Sequence, residues 1–186
     1  MASPPYSFAL LSPDGAPAEA LAKTFNDKIS KDYSWQDAEW LLGEWNGHTS
    51  LKGVCRPDDA VRALALGFDS VWVSNHGGRQ LETSPPTIEL LPSIREAVGP
   101  DAEILVDSGI TRGTDIAKAL AMGANGVGIG KAYLYGLAAG GTPGVRKVFG
   151  ILKRELEIAM GLLGVASVKE LRERGPELVR RRTKDP

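Results

Sequence analysis

A proton acceptor and a fixed cation follow one short apolar segment of the sequence. Residues 71–73 are β-branched and aromatic, which is typical of a buried strand. His76 and Arg79 follow within six residues of that strand, with two glycines between them. In a parallel barrel, catalytic side chains lie at the carboxyl ends of strands. The segment therefore predicts an active-site loop, although an isolated histidine is also compatible with a structural role in a turn.

Other chemically useful residues also close predicted strands. Lys52 ends the first strand, where a solvated lysine is the plainer interpretation, and Ser74 ends the second. The third and fourth strands are closed by short runs of small and polar residues, Asp107, Ser108, Gly109, Ile110 and Thr111, and then Gly130 and Lys131. In eight-stranded barrels the loops after the last two strands often bind a phosphate. Two glycines and a lysine at these places favour that use.

A repeat indicates how these residues are positioned. Residues 53–74 and 109–130 share one pattern, offset by 56, with eight identities in register. Each copy predicts a strand end, a helix, a stop at Gly67 or Gly123, and the next strand. A repeated βα unit implies a parallel sheet with crossover helices. Because the repeat aligns Arg112 with Arg56, a structural role for both arginines is favoured over phosphate contact by Arg112.

The remaining elements follow from local signals. Four strands are predicted at 49–54, 70–74, 104–107 and 126–130, with helices at 17–27, after Ser34, and at 87–98. A Gly/Ala-rich loop over 136–141 precedes a long helix that Thr142 and Pro143 open, with an apolar stripe for core packing. Ser167 caps a last short helix. Four βα units are half of an eight-stranded barrel, which needs about 250 residues.

Composition excludes several classes of protein. The 186 residues carry a formal net charge of -1, which argues against a nucleic-acid binder. One cysteine, Cys55, and two histidines exclude an internal disulfide and make a metal site unexpected. No apolar run approaches a transmembrane length. The N-terminus lacks a secretory pattern, so a cytoplasmic location is expected.

The segment Ser-Asn-His-Gly-Gly-Arg-Gln-Leu at 74–81 resembles the active-site signature of the FMN-dependent α-hydroxy-acid oxidases and dehydrogenases. That family includes glycolate oxidase, lactate oxidase, mandelate dehydrogenase and flavocytochrome b2. The likeness also covers the segments 34–37, 51–54, 106–115, 119–124 and 135–141. In the family, these segments belong to strands five to eight. The resemblance implies a remnant segment over 1–33, a half-barrel over 34–171 and a charged tail over 172–186.

The resemblance implies roles for the strand-end residues. His76 would take a proton from a small L-2-hydroxy acid, and Arg79 would clamp the substrate carboxylate. Lys52 would stabilise negative charge on reduced FMN, and Ser74 would also bind the cofactor. The ribityl and phosphate groups would be held by residues from the last two loops, namely Asp107, Ser108, Gly109, Ile110, Thr111, Gly130 and Lys131.

The sequence departs from the family pattern at three of these positions. Ser108 replaces a usual glycine, and Thr111 and Lys131 replace usual arginines. A hydroxyl and an ammonium in place of two guanidiniums predict weaker FMN binding. The family's first four strands are also missing from the sequence.

Two alternatives stay open. One is a catalytically inactive half-barrel that associates with itself or with a missing N-terminal half, because an open half-barrel exposes strand edges and an apolar face. The other is a different FMN- or phosphate-binding barrel, such as a nucleotide dehydrogenase, which the histidine and arginine after the second strand disfavour. Flavin colour in the purified protein separates the first alternative from the oxidoreductase.

Overall fold

The computed structural model describes residues 32–180. The chain divides into two compact units, with the boundary between Trp45 and Asn46. The helix predicted at 17–27 lies outside the described residues, as does the end of the tail. The domain boundary that the sequence placed after residue 33 stays a prediction.

The described part of the first unit contains one helix, α1 (Trp35–Glu44). The Ser34 hydroxyl accepts a hydrogen bond from the Asp37 N–H at 3.4 Å. The Asp37 carboxylate in turn accepts from the Ser34 N–H at 2.7 Å. These reciprocal bonds satisfy free N–H groups of the first turn, so the predicted N-cap at Ser34 is confirmed.

The second unit is built on a four-stranded parallel sheet in the order β1-β2-β3-β4. The strands are β1 (Ser50–Val54), β2 (Ser70–Val73), β3 (Glu103–Val106) and β4 (Gly126–Val127). The predicted parallel sheet is confirmed. The fourth strand is shorter than the predicted 126–130, although the Gly128 N–H still donates to the Val106 carbonyl at 2.8 Å.

Three helices connect successive strands, α2 (Pro57–Leu66), α3 (Thr87–Val98) and α4 (Gly113–Ala121). They contact the sheet on the side where alternate apolar side chains, Val71, Val73, Ile104 and Val106, are buried. Gly67 and Gly123 adopt φ of +112° and +107° after α2 and α4. Both predicted glycine stops are therefore confirmed, since only glycine adopts this backbone without strain.

Helix α5 (Lys131–Leu162) corrects one prediction. Residues 136–139, expected in a loop, are helical, and the helix breaks only at Gly140 and Gly141. The small residues there allow close packing, because a Cβ on Gly144 would overlap the Gly136 carbonyl oxygen. The break directly precedes the predicted helix start at Thr142. Of the predicted core stripe, Leu152 and Ala159 are buried, whereas Phe149 is 51% exposed.

Two short helices end the described chain, α6 (Val168–Glu173) and α7 (Gly175–Leu178). The Ser167 hydroxyl accepts from the Glu170 N–H at 3.1 Å, which confirms the predicted cap. Residues 172–178, assigned by sequence to a charged tail, are thus partly helical. Within residues 32–180, no helix is both long enough and apolar enough to cross a bilayer.

Candidate active site

Three predicted site residues from β1, β2 and β3 lie in contact, but Lys52 is in the middle of β1 and not, as the sequence predicts, at its end. The Lys52 Nζ donates to the Ser74 Oγ at 3.0 Å and lies 3.0 Å from the Asp107 Oδ2. Lys52 is in register with Trp72. Ser74 and Asp107 follow their strands by one residue, on the side chain face that Lys52 also occupies. The sheet therefore positions an ammonium against a hydroxyl and a carboxylate.

The neighbours of the Asp107 carboxylate favour its ionised form. Burial raises the pKa of Asp107, but hydrogen bonds from Ser74, Lys52 and Ser108, together with the positive charge of Lys52, outweigh it and hold the pKa below its ordinary value. The Ser108 Oγ donates to the Asp107 Oδ1 at 2.8 Å. Because each carboxylate oxygen has its own partner, Asp107 stays ionised at neutral pH.

The Asp107→Asn variant is expected to change the acid dependence of stability. A lowered folded-state pKa stabilises the protein above the ordinary value of 3.8 and stops doing so as the pH falls through the folded-state pKa. The variant should lose about 1–2 kcal/mol of unfolding free energy at pH 7 and show a flatter decline below about pH 4. Urea unfolding from pH 7 to pH 3 measures both. The Asp58→Asn variant, at an 88% exposed side chain, is the control, and matching profiles for the two variants would contradict the prediction.

His76 lies on a single 3₁₀ turn, His76–Gly78, directly after β2. Its own N–H donates to the Ser74 Oγ at 3.2 Å. The ring rests against Gly53, where an added Cβ would lie 3.1 Å from the His76 Cε1 and 3.9 Å from the Nδ1. The imidazole therefore lies beside Gly53 of β1, the residue that follows Lys52.

Arg79 follows this turn with an exposed side chain. Its guanidinium and the His76 imidazole make no hydrogen bond or ion pair with any other side chain or backbone group in the described range 32–180. Both groups are thus available to a ligand. Both residues follow β2, whereas their pairing at one site and their catalytic roles stay predictions.

The N-terminus of α5 presents a second set of predicted residues. Gly130 is the N-cap and Lys131 the first helical residue, with an exposed side chain. Gly109 adopts a φ of +84°, and an added Cβ on Gly109 or Gly130 would meet nothing within 4 Å. Free N–H groups at a helix start, with a lysine beside them, suit an anion such as a phosphate. Ile110 is 7% exposed, so its side chain belongs to the core.

The N-terminus of α4 is already occupied by carboxylates. The Asp115 Oδ2 accepts from the Thr111 N–H at 3.1 Å and from the Thr111 hydroxyl at 3.3 Å. Glu155 accepts from the Gly113 N–H at 2.8 Å and pairs with the Arg112 guanidinium at 3.1 Å. The favoured structural role of Arg112 is confirmed. A phosphate here would face two carboxylates, so the start of α5 is the better site.

Sequence reasoning missed two residues that shape the site. The Thr87 hydroxyl donates to the Asp107 carbonyl at 2.5 Å and lies 3.2 Å from the Ser108 carbonyl, which ties the third loop to α3. The Trp72 ring lies 5.5 Å below the Lys52 Nζ. Its buried Nε1 has no hydrogen-bond partner in the described structure. Only Trp72 has a signal in the sequence, because its alternation with Val71 and Val73 places it on the face of Lys52.

Parallel βα units with polar side chains gathered at the carboxyl edge define a partial α/β barrel with a site at the usual end. A family model described as FMN-dependent dehydrogenase matches residues 2–179, and the chain belongs to this family. The resemblance found by sequence is thereby confirmed, as is the half-barrel fold.

The names of similar proteins denote several different enzymes. Pre-mycofactocin synthase of Mycolicibacterium smegmatis is 49% identical over 138 residues, which are 74% of this chain and 35% of that protein. L-lactate oxidase of Nostoc sp. is 45% identical over 84% of this chain and 43% of that protein. The solved (S)-mandelate dehydrogenase, described as a monotopic membrane protein, superimposes with a TM-score of 0.80 at 36% identity, over 87% of this chain and 42% of its own. The chain spans less than half the length of these relatives.

Proposed function

We propose that this chain supplies the base, the carboxylate clamp and part of the FMN site for oxidation of a small L-2-hydroxy acid to its 2-oxo acid. The carrying observation is the linkage of Lys52 through the Ser74 Oγ to the backbone of His76. Relatives named L-lactate oxidase, L-lactate dehydrogenase and 2-hydroxyacid oxidase support this substrate class, with lactate or glycolate as its simplest members. The activity proposed is that of the complete barrel.

The residues present fit FMN. Gly109 and Gly130 leave open space where side chains would stand, and the α5 N-terminus offers N–H groups to a phosphate. Lys131 adds a cation there, and Lys52 supplies one for the flavin ring. Bound FMN would supply the acceptor for the two electrons that leave the substrate. Because the Thr111 hydroxyl is engaged by Asp115, Lys131 carries more of the proposed phosphate contact.

The protein side chains have separate tasks in this proposal. Arg79 holds the substrate carboxylate through two parallel N–H donors and so fixes the 2-hydroxyl near the base. The Nε2 of His76 takes the hydroxyl proton, since an imidazole nitrogen with a lone pair can act as a general base. Lys52, held by Asp107, offers positive charge where negative charge develops.

A second candidate is an association module without catalysis. β1 and β4 are the edges of the sheet in the described structure. On α5, Ile158 and Leu162 are 53% and 85% exposed. Unpaired parallel edges and exposed apolar side chains favour association with further strands, either from an N-terminal half-barrel or from another copy.

Flavin loading followed by anaerobic substrate addition tests the proposal. The purified protein, alone and mixed with the N-terminal half-barrel of the Nostoc relative, is titrated with FMN and then given L-lactate, glycolate or (S)-mandelate. We expect one FMN per chain and bleaching by at least one acid. The Arg79→Lys variant should retain FMN but need about tenfold more acid, because one ammonium does not replace a bidentate fork. Bound flavin that none of the acids bleaches would overturn the substrate class, and a colourless oligomer would favour the association module.

A further inference from the structure

Ser108 joins two parts of the site from the loop after β3, beside the link that Ser74 makes from the end of β2. Its Oγ donates to the Asp107 Oδ1 at 2.8 Å and accepts from the Gly77 N–H at 3.1 Å. The other Asp107 oxygen holds Lys52. One hydroxyl thus joins the carboxylate behind Lys52 to the turn that begins at His76.

The backbone conformation of Ser108 is unusual for a residue with a side chain. Its φ is +73°, a left-handed conformation that glycine adopts freely and serine rarely does. The Thr87 hydroxyl, which donates to the Asp107 carbonyl, also lies 3.2 Å from the Ser108 carbonyl and packs against this backbone. A glycine would fit the backbone better, but it would supply neither hydrogen bond of the hydroxyl. The serine side chain therefore contributes two hydrogen bonds that a glycine at this position would not make.

The bond to Gly77 contributes more to placement than to stability. The Gly77 N–H also donates to the Asn75 Oδ1 at 2.9 Å, so it keeps an acceptor when the Ser108 hydroxyl is removed. No buried donor is left unpaired, and the stability cost should be small. The bond to Ser108 instead fixes the turn relative to β3, because Asn75 belongs to the turn itself and Ser108 does not.

We propose that Ser108 is a positioning residue that sets the distance between the His76 imidazole and the Lys52–Asp107 pair. The role of the imidazole as base rests on the proposed function, whereas the positioning rests on the hydrogen bonds alone. Fixing this distance should raise the reaction rate, because proton removal by His76 and charge stabilisation by Lys52 must act on one substrate at the same time.

Two substitutions separate the hydroxyl from the backbone. The Ser108→Ala variant keeps a side chain at positive φ and loses the hydroxyl, and the Ser108→Gly variant loses the hydroxyl while relieving the backbone. The chain has two histidines, so imidazole resonances in an NMR titration assign readily, and His48 serves as the internal reference. We expect both variants to shift the His76 resonances at constant pH, with those of His48 unchanged. The Ser108→Gly variant should melt at or above the temperature of the Ser108→Ala variant.

In flavin-loaded protein, both variants should lower kcat about 10–100-fold, with a smaller change in KM. Ser93→Ala, at a hydroxyl that bonds only the Leu90 carbonyl of α3, is the matched control. Wild-type His76 resonances in both variants, or in Ser108→Gly alone, would overturn the positioning role. The NMR measurement needs neither FMN nor substrate. Shifted His76 resonances in a protein that never oxidises a hydroxy acid would therefore uphold the positioning and reject the proposed function.

Discussion

Replacing His76 by alanine is expected to lower kcat/KM for an L-2-hydroxy acid by about 10²–10⁴-fold, the usual contribution of a general base. FMN content should not change. The ring contributes no hydrogen bond among residues 32–180, and the contacts among Lys52, Ser74 and Asp107 do not involve it, so its removal should leave them in place. Steady-state kinetics with flavin absorbance of the same samples measure both quantities.

The chain provides a matched control for this variant. His48, the other histidine, lies before β1 at the opposite edge of the sheet, with a side chain 59% exposed and 3.9 Å from both Asp69 and Glu103. The His48→Ala variant should keep kcat/KM. A parallel loss of FMN and activity in His76→Ala would show instead that His76 supports the fold of the cofactor site.

The residues that sequence alone placed correctly are those controlled by local pattern. Ser74 and Asp107 follow apolar runs, Lys52 lies within β1, and the alternation of strand side chains puts all three on one face. The repeat supplied the parallel order, because each copy contains a strand end, a helix and the next strand. Their convergence at one edge then follows from the sheet itself.

The features that sequence missed depend on contacts between distant segments. The sequence predicts only a helix start at Thr87. The two carbonyls that its hydroxyl contacts lie 20 and 21 positions further along the chain, where no local pattern indicates them. The glycines of 136–141 looked like a loop because glycine lowers helix propensity. Gly136 is retained in a helix by its close approach to Gly144, which no local pattern reveals.

The same limit applies to Thr111. By family position it belongs to the phosphate site, yet its hydroxyl and N–H both bond Asp115 at the start of α4. Its cofactor role stays a prediction, as does phosphate contact by Lys131, whose exposed side chain lies at the start of α5. The substitution of a usual arginine by threonine is therefore consistent with capping of α4 in this chain.

Replacing Arg95 by methionine is expected to lower the free energy of unfolding by about 2–4 kcal/mol, because one charged group bonds several carbonyls. The Nη1 of Arg95 donates to the carbonyls of Gly99 at 2.6 Å and Ala102 at 2.8 Å. The Nε and Nη2 donate to the Gly123 carbonyl at 3.0 Å and 2.7 Å, and the Nη2 also reaches the Asn125 Oδ1 at 2.8 Å. The guanidinium thus joins the end of α3 to the turns that precede β3 and β4.

The position of these turns explains why the effect should be large. The Asn125 Oδ1 also accepts from the Ile104 N–H at 3.0 Å, so loss of Arg95 loosens the pairing at the start of β3. Gly123 leaves room for the arginine, since an added Cβ would lie 2.9 Å from the Arg95 Cγ. Urea unfolding of Arg95→Met, Arg95→Lys and the exposed control Arg146→Met should rank Arg95→Met lowest and the control near the wild type. Lysine should recover only part of the loss, because a single ammonium does not span both turns. A change in Arg95→Met within the roughly 0.5 kcal/mol typical of surface substitutions would contradict this account.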